Sequence, residues 1–158
     1  METASSASKI MKPVVRMVGI QNRFLVRLPV VGKKIVEGSG RAIGKLAPRF
    51  TFLGFKKEPS YENALHNWET FLALISAEYE KETRGPQENV YTFRKCPAGF
   101  CSSEHADACD GTMVLDHTLV ATSGAQLRVD KRIPVDGICV ESVVPAPTGK
   151  PEYGRNRV

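Results

Sequence analysis

The sequence predicts an α+β fold, with N-terminal helices followed by a small antiparallel sheet that carries a cysteine-bearing turn and helix. Two changes of pattern predict it. Apolar residues recur every three to four positions from Leu65 to Tyr79, as on one face of a helix. After Pro86 the period falls to two, in β-branched and aromatic stretches bounded by glycine and proline. Composition agrees: 158 residues with 42% apolar and 25% charged suffice for one domain with a core, and exclude disordered, collagenous and small disulfide-framework classes. The longest apolar runs, such as residues 71–75, fall far short of the roughly 18 residues that cross a bilayer.

Residues 1–12 are rich in Ser, Ala and Lys and are expected to be mobile. Residues 13–58 form a basic amphipathic docking segment, in which short apolar clusters alternate with single basic residues and Pro13, Gly19, Pro29, Gly32, Gly38 and Gly40 interrupt any long helix. The net charge of +5 is concentrated here, with ten Lys and Arg against two acids over residues 1–50. Over residues 13–55 such a stretch suits the groove of a larger protein partner, a second copy of the chain, or an anionic membrane surface. Nucleic acid is not the expected partner, because no helix-turn-helix, zinc-finger or RNA-recognition pattern accompanies the charge.

Residues 59–145 form the α+β cysteine-containing domain. Ser60 is a suitable N-cap for the first helix, and Thr83-Arg84-Gly85-Pro86 its stop. His66 and Trp68 on that helix are assigned no chemistry. Residues 89–95, 125–132 and 137–144 read as strands, with Ser123-Gly124 and Pro134-Val135-Asp136-Gly137 as the turns between them. Ser102 or Ser103 would cap a short helix running through Cys109 toward Leu115, after which Asp116-His117 reads as a turn entering a strand, with His117 a candidate proton carrier. On the last strand, Ile138, Val140 and Val144 share the apolar face, which leaves Cys139, Glu141 and Val143 on the other. The proline- and glycine-rich tail over residues 146–158 is expected to be flexible.

The chemistry-bearing feature is the set Cys96-x4-Cys101-x7-Cys109-x29-Cys139. Four thiolates suit an iron–sulfur cluster, most simply [4Fe–4S], or a tetrahedral zinc, and the lack of a second short knuckle makes zinc the weaker fit. Cys96-Pro97-Ala98-Gly99-Phe100-Cys101 is a turn whose backbone amides could hydrogen-bond cluster sulfides. The leading expectation is therefore an accessory or electron-transfer subunit that holds the cluster on Cys96, Cys101, Cys109 and Cys139 and docks on a larger partner through its basic segment. An alternative is nucleophilic catalysis, in which Cys109 is activated by His105 four residues earlier on one helix face and Asp110 orients the pair. A third is a non-catalytic small-ligand-binding or assembly module in which the thiols are incidental. Met1-Glu2-Thr3-Ala4 lacks the pattern of a secretory signal, so free thiols in a cytoplasmic setting are expected.

The run Tyr91-Thr92-Phe93-Arg94-Lys95-Cys96-Pro97-Ala98, then Ala108-Cys109-Asp110, then Arg132-Ile133-Pro134-Val135-Asp136-Gly137-Ile138-Cys139-Val140 resembles the C-terminal signature of the L-2-amino-thiazoline-4-carboxylic acid hydrolase-like family, over roughly residues 60–145. The resemblance implies hydrolytic opening of a small cyclic C–N/C–S substrate with a cysteine nucleophile; Cys101 is an addition to that pattern. The closing Gly/Cys strand is also similar to vinyl-4-reductase-type domains, which implies ligand binding without turnover.

Overall fold

Residues 61–74 become a helix because apolar side chains recur on one side and Ser60 closes its start, its extended backbone letting Oγ accept from the Asn63 amide at 3.1 Å. In the computed structural model, which describes residues 2–28 and 31–147, this helix follows two others: α1 (Glu2–Leu25) and α2 (Gly32–Leu46) precede α3 (Tyr61–Leu74). Strands β1 (Glu80–Thr83) and β2 (Asn89–Phe93), helix α4 (Ala106–Thr122), strand β3 (Ala125–Lys131), the short α5 (Ile133–Asp136) and strand β4 (Cys139–Pro145) complete the chain. The fold is α+β, with all four strands in one antiparallel sheet of order β1-β2-β4-β3.

Several expectations change here. Helix α3 stops at Leu74, not near Gly85. Ser76 takes a left-handed φ of 53°, its amide donates to Ala73 O at 3.1 Å and the Ala77 amide to Leu72 O at 2.9 Å. That is a Schellman ending with serine where glycine is usual, and it frees residues 80–83 to pair as an edge strand. Pro13 lies inside α1 rather than breaking it, and that helix begins at Glu2, within the stretch expected to be mobile. Helix α4 runs to Thr122, so Asp116 and His117 are helical and not a turn. Ser123-Gly124 joins α4 to β3 rather than two strands; Gly124 has φ 102°, and a Cβ there would meet the Ser60 nitrogen at 2.7 Å. The tail expected over 146–158 lies outside the described residues from 148 onward.

The core sits between the sheet and helices α3 and α4. Trp68, Leu72, Tyr91, Leu119, Leu127 and Val143 are buried there together, each aliphatic one worth about 2 kcal/mol by burial alone. Trp68 stacks on Phe71 and meets Tyr91 edge-on. Helix α2 crosses α4 through small residues: a Cβ on Gly44 would lie 2.8 Å from Leu115 O and from Thr118 Cβ, and one on Gly111 2.8 Å from Val36. Part of the expected docking segment is thus built into the domain.

Candidate functional site

The site is built by four pieces of chain that meet beneath α1. Strand β2 delivers Phe93 and the turn that follows it, α3 delivers Trp68 and Leu72, α4 delivers Cys109, Thr112, Met113 and Asp116, and β4 delivers Cys139 and Glu141. Val15 of α1 and Ile133 and Pro134 of α5 complete the walls of a cavity of about 100 Å³. On α4 the spacing of 109, 112, 113 and 116 is that of one helix face. On β4, alternation puts Cys139, Glu141 and Val143 inward, all buried. The expectation that Cys139 lies away from the core is therefore corrected: the side carrying Glu141 is the one that faces the cavity.

Three of the four cysteines line this space and the fourth does not. Cys96, Cys109 and Cys139 are walls, whereas Cys101 is exposed and lies outside the lining. All four are free thiols. Burial pushes the Cys109 thiol up to about 12, and the neighbouring Cys96 thiolate, were it formed, adds to the rise. Burial also raises Cys139, with Glu141 the next cause. Cys96 is raised by burial too, but the backbone amides of Phe100, Ala98 and Gly99 hydrogen-bond toward its sulfur and oppose the shift. The turn is held by the Gly99 amide donating to Cys96 O at 3.0 Å, with Gly99 at φ 79°. Of the three thiols that line the cavity, Cys96, which is half-buried, is the one whose surroundings include amides aimed at a sulfur anion.

The carboxyl groups were the residues that sequence reasoning missed. Glu141 is 4% exposed; its Oε1 accepts from Cys139 Sγ at 3.2 Å, while Oε2 is buried with no hydrogen-bond partner. Burial pushes this carboxyl up to about 7. Asp116 lies close enough to interact with it and is raised well above its ordinary value, first by burial and then by the Glu141 charge. Two acids that share a low-dielectric space cannot both ionise cheaply, so the pair retains protons near neutrality. The indole Nε1–H of Trp68 is likewise buried without an acceptor. A period-3.6 reading continued past Leu115 would have placed Asp116 on the Cys109 face; assigning it to a turn hid it.

The other expected catalytic groups engage elsewhere. His105 belongs to a 3₁₀ turn ahead of α4, where Nδ1 accepts from the Cys101 amide at 3.3 Å and Nε2 faces Arg23 Nη1 at 3.4 Å. Asp110 pairs with Arg132. Neither lines the cavity, so Cys109, His105 and Asp110 are not assembled as a triad. His117 is half-buried, lowered by burial, and hydrogen-bonded to the Leu127 backbone, away from the cavity walls. Among the described residues no group of three or more His, Cys, Asp and Glu side chains converges as a metal site.

No family model matches this chain, and no curated protein matches it.

Proposed function

We propose that this chain is a small-molecule-binding protein whose cavity takes a compact, one-ring molecule bearing a basic nitrogen and a hydrogen-bond acceptor. One observation carries the reading: of two residues in a mainly apolar lining, a donor (Trp68 Nε1–H) and a carboxyl oxygen (Glu141 Oε2) are both buried and both unpaired. Leaving such groups unsatisfied costs about 1–3 kcal/mol each, which a ligand supplying their partners recovers. Size limits the ligand, since about 100 Å³ is less than the roughly 150 Å³ apolar cavity known to admit benzene. Charge limits it further. Among the described residues no basic side chain lines the cavity, so the counter-charge for an ionised Glu141 is to come from the ligand, and a carboxyl held near 7 can hand its proton to an amine, imine or amidine nitrogen and remain as its ion pair.

The same groups support a hydrolase reading in altered form. Acid–base work would fall to Asp116 and Glu141 rather than His105 and Asp110, with Cys96 as the thiol best prepared for ionisation. A cluster-binding reading draws on Cys96, Cys109 and Cys139 lining one cavity; it requires the three to draw together, to ionise there, and to take a carboxylate in place of the exposed Cys101. Four free cysteines suit a reducing compartment such as the cytoplasm.

Trp68 is the single tryptophan, so its fluorescence reports on this cavity. Titration with 2-amino-2-thiazoline and imidazole, against cyclopentene as an apolar control, is expected to shift the emission for the basic probes. Glu141→Gln should weaken them by about tenfold or more, the loss of one buried charge-assisted contact, and leave cyclopentene unchanged. A folded, metal-free protein whose emission no probe moves would overturn the reading. Stoichiometric iron and sulfide after anaerobic purification would instead support the cluster.

A further inference from the structure

Helices α1 and α2 sit on the domain the unexpected way round. Beyond Val15, which packs on the core, the inward side of α1 is small and polar: a Cβ on Gly19 would meet Ala98 O at 2.1 Å, and Asn22, which is buried, donates from Nδ2 to Thr112 Oγ1 at 2.9 Å. Met17, Ile20 and Phe24, spaced three and four apart, therefore form a continuous stripe on the outward side, and Leu28, just past the end of the helix, is exposed as well. Met17 is 63% and Phe24 66% exposed. Helix α2 repeats the arrangement. Gly32, Gly40 and Gly44 are buried with Val36, while Ile35, Ile43 and Leu46 face solvent. Phe52, in the turn that follows, is 81% exposed. Apolar residues that could have filled a core interface are displayed instead, and glycines occupy the contact.

The charge around this surface is of one sign. Residues 13–53 carry eight Lys and Arg and a single acid, Glu37, which is paired with Arg41 at 3.2 Å. Arg16, Lys34, Lys45 and Arg49 make no ion pair among the described residues. We infer that the outward faces of α1 and α2 form an interfacial surface that lies on an anionic lipid bilayer, apolar side chains entering the acyl boundary and the cations meeting the headgroups. A second copy of the chain is the poorer occupant, because it would bring the same positive charge against itself. The helices lie on the membrane rather than through it, since none among the described residues is long and apolar enough to cross. This inference is independent of what the cavity binds.

Sedimentation of the full chain with vesicles tests it. Binding is expected to vesicles of phosphatidylcholine with about one third phosphatidylserine, to be at least about tenfold weaker to phosphatidylcholine alone, and to fall as salt is raised past about 0.5 M. The double variant Phe24→Ser/Phe52→Ser should lose about tenfold per ring, and Lys34→Glu/Lys45→Glu about fivefold per cation removed. Both sets are exposed, and circular dichroism melts at the wild-type temperature would show that the fold is kept. Failure to sediment with the anionic vesicles overturns the inference, as does equal binding to both lipids. Concentration-dependent dimerisation without lipid that Phe24→Ser/Phe52→Ser abolishes also overturns it and makes the face a self-association surface.

Discussion

Replacing Glu141 with glutamine should make the protein more stable at pH 8 and change how stability varies with pH. Burial raises this carboxyl from 4.5 to about 7, so the folded state prefers the protonated acid. The cost of ionising it in place is absent below pH 4.5, accumulates as pH rises from 4.5 to about 7, and is complete above that. At about 1.4 kcal/mol per pH unit the penalty at pH 8 is about 3 kcal/mol. Glutamine keeps an oxygen for the Cys139 thiol, which donates to Oε1 at 3.2 Å, and removes the titration. Urea melts of wild type and Glu141→Gln at half-unit intervals from pH 4.5 to 8.5 would give the difference directly. The variant is expected to gain about 3 kcal/mol relative to wild type across that range, or about 6–12 °C in Tm for a chain of this size. Taking the difference matters because His117, lowered by burial, has the opposite slope: its neutral folded form loses stability as pH falls below 6.5. Asp116 shares the Glu141 slope and persists in the variant. Parallel wild-type and variant profiles would refute the claim that Glu141 is buried without a counter-charge.

Thiol chemistry should separate Cys101 from the rest. The native protein is expected to release close to one equivalent with a charged aromatic disulfide and four after denaturation, because only Cys101 is fully exposed; Cys101→Ser should abolish the fast phase. Gly44→Ala should destabilise by about 1–3 kcal/mol in a thermal melt, since its Cβ would press on Leu115, Thr118 and Leu119 within 3 Å. Gly38→Ala, on the open side of the same helix with nothing within 4 Å, should stabilise by about 1 kcal/mol. Asn67→Ala should cost about 2–4 kcal/mol in urea melts, because Asn67 is buried, accepts from the Lys56 amide at 2.6 Å and donates to Lys56 O and Ser123 Oγ.

What was legible in the sequence followed from local rules. The N-cap at Ser60, the strands read over 89–95 and 125–132, and the Cys96 turn are set by residues within a few positions of themselves, and the structure has the cap and the turn there and the strands at 89–93 and 125–131, each ending one or two residues early. What was not legible depended on partners far along the chain. Asn67 looks like the polar side of α3 until the backbone of Lys56 is seen to fold back onto it. Glu141 looks like the wet side of its strand, because apolar alternation there is ambiguous and burying a carboxylate is costly enough to be the last assignment one makes. Serine at the left-handed position of the α3 ending gives no glycine signal. In each case tertiary context outweighed a correct local preference.

Helix α1 ties the cavity to the exposed surface. Val15 on one side of it is a wall of the cavity, and Gly19 and Asn22 hold it against the Cys96 turn and α4. Two residues, about half a turn, from Val15 and from Asn22, Met17 and Phe24 are exposed on the opposite side. Its inward contacts are Val15 against the cavity, the close approach of Gly19, and the side-chain contacts of Asn22 and Arg23, fewer than the aliphatic contacts that fix α3 and α4. An outward pull on the stripe of about the energy of one or two inserted phenylalanines, about 2–4 kcal/mol, is comparable to what holds the inward side. Were the stripe and the cavity both occupied as proposed, each would bias the position of α1 for the other, so the basic probes are expected to bind with a different affinity when anionic vesicles are present, and an unchanged affinity would show the two sites to be independent.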